Sequence, residues 1–71
     1  MNQLAVIGCG YVGFSLIKTF KSIFNIIGYD ILESRINELK TNYKFNNVIY
    51  TNTESDLKNC NILFSLLKAH Q

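Results

Sequence analysis

The sequence predicts an α/β fold on a parallel sheet, and three observations carry that expectation. Short apolar runs at Gln3–Ile7, Ile26–Tyr29, Val48–Thr51 and Ile62–Leu67 alternate with helical or polar stretches, the pattern of strand–helix–strand units joined by right-handed crossovers. The first run ends in Gly8, Gly10 and Gly13, spaced G-x-G-x-x-G and followed at once by an amphipathic segment. The second run ends on Asp30, where a dinucleotide-binding sheet carries an acid about 20 residues beyond its glycine loop. Together these predict a Rossmann-type doubly wound parallel sheet, present in part with about four strands, in one domain over residues 1–71.

The first strand is nearly continuous in apolar residues, as in a strand buried on both faces of a parallel sheet. Each glycine after it has a separate physical task. Gly8 turns the chain sharply where a Cβ would clash, Gly10 lets the backbone approach a pyrophosphate, and Gly13 lets the following helix lie close against the sheet. The helix start then offers unpaired N–H groups and the positive end of its dipole to phosphate. Val12, Leu16, Ile17, Phe20, Ile23 and Phe24 form the inward stripe of that helix, with Ser15, Lys18, Thr19, Lys21 and Ser22 opposite and Asn25 closing it.

Asp30 has two readings. At the end of the second strand, its carboxylate accepts from both adenosine ribose hydroxyls and repels a 2′-phosphate, favouring NAD over NADP. Alternatively it caps the next helix, with Glu33 completing a capping box. Its place after this loop and strand favours the ribose role. That helix runs from about Leu32 to Lys40 with Ile36 and Leu39 inward, and Arg35 near its start reads equally as a solvated charge or a clamp by the ribose. A polar stretch over Thr41–Asn47 leads to the third strand, and Thr53, Ser55 and Asp56 supply cap and turn residues for one or two helical turns before the fourth. In the doubly wound order the first strand is central and the fourth pairs on its other side. That leaves the fourth strand at an edge, apolar on both faces, and predicts a protein partner or self-association there.

Composition narrows the classes. At 48% hydrophobic and 17% charged residues the chain is too apolar for disorder. A net charge of +2 without a basic stripe argues against a nucleic-acid partner. No run approaches the ~18 apolar residues of a membrane span, and the N-terminus lacks the basic start of a targeting signal, so no membrane is expected and the cytoplasm is the default compartment. Cys9 and Cys60 fit no metal-ligand or nucleophile motif and read as reduced, packed thiols, and His70 in the polar tail reads as a surface residue. No catalytic residue and no metal ligand is assigned.

With these residues in place, the chain resembles the N-terminal part of the UDP-glucose/GDP-mannose dehydrogenase family. The run Ala5-Val6-Ile7-Gly8-Cys9-Gly10-Tyr11-Val12-Gly13, then Ile27-Gly28-Tyr29-Asp30, then Arg35-Ile36 and Leu39 carry the resemblance, with Tyr50–Leu57 and Cys60–Leu67 similar to that family's third and fourth strands. The resemblance implies NAD as cofactor, with Gly8, Cys9, Gly10, Tyr11, Val12 and Gly13 holding the pyrophosphate and Asp30 the adenosine ribose. It places Arg35 with the ribose, because the family has a basic residue five positions after that acid. It also implies an oxidoreductase setting, the NAD-binding portion of a nucleotide-sugar 6-dehydrogenase.

The departures from that pattern are specific. Phe14-Ser15 stand where the family has Leu-Pro, Lys68-Ala69-His70 stand where it has Pro-Thr-Pro, and the chain has no proline. The sugar-binding domain and the catalytic cysteine with its lysine and acid are absent, so the chain is expected to be non-catalytic alone, as a truncated or frame-disrupted relic. The alternatives are a dinucleotide-binding or interaction module without catalysis and, less favoured, an S-adenosylmethionine-dependent methyltransferase fragment. The last conflicts with Val6-Ile7 before the loop and with valine at position 12. A core this small sits near zero net stability and is expected to need cofactor or partner binding to stay folded.

Overall fold

A computed structural model of the chain describes residues 2–65. Its elements run β1 (Gln3–Ile7), α1 (Tyr11–Phe20), β2 (Asn25–Tyr29), α2 (Glu33–Asn42), β3 (Val48–Thr51), a 3-10 turn (Glu54–Leu57) and β4 (Ile62–Ser65). The four strands form one sheet in the order β3-β2-β1-β4 with every pair parallel, so the α/β doubly wound reading holds for the part of the sheet described. β1 is central, with Leu4 opposite Ile26 on one side and Ile62 on the other. All strand C-termini therefore point the same way, and the glycine loop, Asp30 and Thr51 meet at that end.

Strand alternation divides the side chains between two faces. Leu4, Val6, Ile26, Val48 and Tyr50 share a core with Phe14 and Ile17 of α1 and Ile36 and Leu39 of α2. Both helices thus lie on the same face, as two successive right-handed crossovers in one direction require. The opposite face carries the row Ile49, Ile27, Ala5 and Leu63 in register across all four strands. Ala5 and Ile27 in its middle are buried, whereas Ile49 and Leu63 at its ends are each 61% exposed.

Gly28 sets the spacing between α1 and the sheet. A Cβ there would lie 3.0 Å from Ile17 Cδ1 and 3.1 Å from Cys9 Sγ. The space a side chain would need is filled by the helix, so Ile17 reaches full burial directly over β2.

Three expectations need correction. The inward face of α1 is Gly13, Phe14 and Ile17, with Phe20 and Phe24 against the core, while Val12 and Ile23 are 60% and 57% exposed. Ile17, Phe20 and Phe24 of the expected stripe do face the core, whereas at 100° per residue Val12 falls outside that face and Phe14 takes a place in it. The helix also stops at Phe20 rather than running to Asn25: Ile23 N–H and Phe24 N–H both donate to Phe20 C=O, and the Asn47 side-chain amide donates to Lys21 C=O and, at 2.7 Å, to Phe24 C=O. That cap comes from a residue 23 positions downstream of the carbonyl it closes, so no local signal reveals it. Finally, α2 continues through Thr41 and Asn42, in the stretch expected to be loop. The expected end of the fourth strand at Leu66–Leu67, and His70, lie outside the described residues. Among the described residues no helix is long and apolar enough to cross a membrane.

Candidate functional site

The site forms where β1 and β2 end. Gly8 has φ 96°, the left-handed region that a side chain disfavours, and its N–H donates to Tyr29 C=O at 2.8 Å. That bond fastens the end of β1 to the end of β2 while the chain turns toward α1. Gly10 then stands at the N-cap of α1 with no side-chain cap bond and no acid in the first turn. Nothing lies within 4 Å of where its Cβ would be. The first amides of α1 are thus left open to the space above Gly10. Gly13 is buried on the inner side of the first turn. Tyr11 and Val12 face outward beside this space, Tyr11 at 93% exposure.

Asp30 reaches this loop from the end of β2. Its Oδ2 accepts the N–H of Cys9 at 2.9 Å and its Oδ1 accepts the N–H of Leu32 at 2.9 Å. The alternative of a capping box with Glu33 does not form: Leu32 is the N-cap of α2, and Asp30 makes a turn two residues earlier. A carboxylate has about four acceptor positions, so two remain after both backbone bonds, on a half-buried side chain at the mouth of the loop. Among the described residues Asp30 takes part in no ion pair.

Arg35 approaches the same peptide segment from α2. Its Nε donates to Cys9 C=O at 2.7 Å, and its Nη1 donates to Glu38 Oε1 at 3.0 Å. The guanidinium carbon also lies 5.9 Å from the Phe14 ring centroid. The structure therefore brings Asp30, Arg35 and the glycine loop together, through the main chain of Cys9.

The Cys9 thiol points the other way, into the core, fully buried and 3.4 Å from Tyr29 C=O. Burial first, and the Asp30 carboxylate second, push its pKa up to about 12, with Arg35 opposing. A thiol held protonated and enclosed cannot act as a nucleophile near neutrality. Burial raises the Cys60 thiol as well.

Two residues at this mouth escaped the sequence reading. Ile31 and Leu32, directly after Asp30, are 75% and 61% exposed. They form an apolar lip beside the carboxylate. Their signal in the sequence was a pair of large apolar residues at a helix start, where polar caps are the norm.

Comparison with known proteins adds one relationship. No family model matches the chain, and no solved structure does. Protein CapL of Staphylococcus aureus is 48% identical over 66 residues, covering 92% of this chain and 15% of CapL. The chain thus spans about 15% of the length of the curated relative it matches. These findings correct the family expectation. Neither a family model nor the relative's name carries an assignment to the UDP-glucose/GDP-mannose dehydrogenases. The reading as the NAD-binding portion of a nucleotide-sugar 6-dehydrogenase, with its oxidoreductase and dehydrogenase labels, is withdrawn with it. The physical reason is visible in the residues that carried it. Gly8, Gly10, Gly13, Asp30 and Arg35 are explained here by loop geometry and main-chain bonding, features that belong to a fold rather than to a reaction. What the comparison supports is a likeness to Protein CapL across nearly the whole of this chain.

Proposed function

We propose that this chain is a dinucleotide-binding module that takes NAD, with no catalytic residue of its own assigned. The observation that carries the reading is the pairing of an open, uncapped helix start at Gly10 with the Asp30 carboxylate bonded to the next residue back in the same loop. A pyrophosphate over Gly10 would meet the free amides of α1 and its positive dipole end. The two acceptor positions left on Asp30 suit the adjacent ribose hydroxyls, and the exposed Ile31–Leu32 lip offers an apolar surface to a flat base.

The same carboxylate would repel a 2′-phosphate, so NAD is the expected form over NADP. Calorimetric titration of the full chain with NAD, NADP and S-adenosylmethionine tests this. NAD should bind more tightly than NADP, and S-adenosylmethionine should give no heat. Absence of NAD binding would overturn the reading, and tighter NADP binding would overturn the role of Asp30.

A second reading concerns association. Among the described residues β4 lies at the edge of the sheet with all four residues exposed, including Leu63 at 61% and Phe64 at 45%. An apolar edge strand without charged residues is a template for further pairing, which supports a partner or self-association along β4. Sedimentation over a range of concentrations, repeated with Leu63→Lys, tests it: a monomer at every concentration sinks the self-association arm.

A further inference from the structure

We propose that Arg35 is a positioning residue for the glycine loop, acting through the main chain of Cys9; its functional consequence rests on the dinucleotide reading above.

The main chain of Cys9 is held at both ends. The Cys9 N–H is taken by Asp30 Oδ2 at 2.9 Å, and the Cys9 C=O is taken by Arg35 Nε at 2.7 Å. Asp30 comes from the β2–α2 connection and Arg35 from the first turn of α2, 21 and 26 residues away in sequence. The main chain of Cys9 joins Gly8, whose φ is 96°, to Gly10, which has nothing within 4 Å of its Cβ position. A stretch flanked by two glycines has little intrinsic preference for any one shape. Its shape must be imposed from outside, and Asp30 and Arg35 are what impose it.

Arg35 is itself held for this task. Glu38 fixes one guanidinium nitrogen at 3.0 Å, one helical turn along, and Phe14 of α1 lies beneath the group at 5.9 Å. Its side chain is 24% exposed. A planar guanidinium can bond Cys9 C=O through Nε and Glu38 through Nη1 at once. A lysine ammonium has no such fork. The Cys9 C=O belongs to the peptide unit whose N–H is that of Gly10. Its orientation therefore sets the direction of the Gly10 N–H, at the mouth of the loop.

This role separates from a direct contact with ligand. A residue touching the adenosine ribose would affect every adenosine-bearing ligand. A residue that aims the loop amides affects only ligands with phosphates to meet them. The test compares adenosine with ADP, using wild type, Arg35→Met and Arg35→Lys, with affinities read by NMR titration. Positioning predicts that Arg35→Met weakens ADP by about tenfold or more, the scale of one hydrogen bond to a charged group, and leaves adenosine unchanged. Arg35→Lys should recover part of the ADP affinity. Equal losses for adenosine and ADP would overturn the proposal in favour of a ribose contact.

A second readout needs no ligand. The amide resonances of Cys9 and Gly10 in the free protein should shift in Arg35→Met and return part-way in Arg35→Lys. Unmoved loop resonances would overturn the proposal whatever the ligand data show. Loop resonances that move as expected in a wild-type protein that binds neither ADP nor NAD would leave Arg35 as a loop-positioning residue and refute the dinucleotide reading alone. Should Arg35→Met lose its far-UV dichroism, the Arg35→Lys spectra decide the same question.

Discussion

Asp30 holds the backbone N–H of Cys9 at 2.9 Å with one carboxylate oxygen while the other holds Leu32. One side chain thus sets the relation between the glycine loop and the start of α2. Asp30→Ala should weaken NAD binding by about 1.5–3 kcal/mol, the scale of hydrogen bonds to a charged acceptor. It should also lower stability, since the Cys9 N–H loses its acceptor. Calorimetry and a urea melt on the same variant separate the two effects. An unchanged NAD affinity beside a lowered midpoint would assign Asp30 to structure alone.

The glycines of the loop should divide by what each replacement meets. Gly8→Ala forces a side chain into φ 96° and should cost roughly 1–2 kcal/mol of stability. Gly10→Ala meets nothing within 4 Å in the free protein, so its stability should stay within about 0.5 kcal/mol of wild type. Its NAD affinity should fall, because the new methyl group occupies the space proposed for the pyrophosphate. Melts and titrations of the two variants would show opposite orders of damage; the same order in both would refute the assignment.

Alkaline pH should destabilise the fold. The Cys9 thiol is raised from 9.0 to about 12 by burial first and the Asp30 carboxylate second. The Tyr50 phenol is raised from 10.0 to about 12 by burial first and the nearby Cys9 second. For acids with raised folded-state values, the unfolded chain loses its protons first. Stability is therefore full below about pH 9 and falls as pH climbs toward 12. Urea midpoints measured from pH 7 to 11 should be flat and then decline. In Cys9→Ser the decline should be shallower, with only Tyr50 and Cys60 left to drive it.

Thiol labelling should discriminate the two cysteines. Cys9 is fully buried and Cys60 only half-buried, so a thiol reagent at pH 8 should modify Cys60 first. Cys9 should react only as fast as the fold opens. Mass spectrometry of peptides at timed quenches checks this, and comparable early labelling of both would contradict the enclosure of Cys9.

Asn47 closes the turn after α1 by donating to Lys21 C=O and Phe24 C=O. Asn47→Ala should cost about 1–3 kcal/mol, two ordinary hydrogen bonds. Asn47→Asp should cost more, because a carboxylate would face two carbonyl oxygens. Chemical denaturation of both variants gives the ordering.

The strands were legible as unbroken apolar runs, and β1 and β3 fall where those runs fall, although of the two only β1 is buried on both faces and β3 leaves Ile49 exposed. The glycine spacing likewise pointed to a sharp turn at Gly8, which it makes at φ 96°, and to close helix packing at Gly13, which is buried. What the sequence hid was set at long range. Asn47 ends α1 from across the fold, and Arg35 reaches Cys9 C=O over 26 positions. Neither leaves a periodic or local trace. Asp30 shows the limit most clearly: its position was legible, but its two main-chain partners were visible only once β1 and β2 lay side by side. The family expectation went further than such residues can carry, since loop-forming glycines and their supports recur wherever this fold does.

The central place of β1 has a consequence for how the chain folds. β1 gains its first neighbour from β2, with Leu4 opposite Ile26, but its second from β4, with Leu4 opposite Ile62. Among the described residues β1 is thus completed by the strand that follows all the others in sequence. Closing that pairing costs the entropy of the whole loop from Leu4 to Ile62, and parallel pairings at such separations are slow to form. Until β4 arrives, one edge of β1 stays open to solvent. The described sheet is therefore not assembled strand by strand in chain order, and β1 gains its second neighbour only when Leu4 and Ile62 meet.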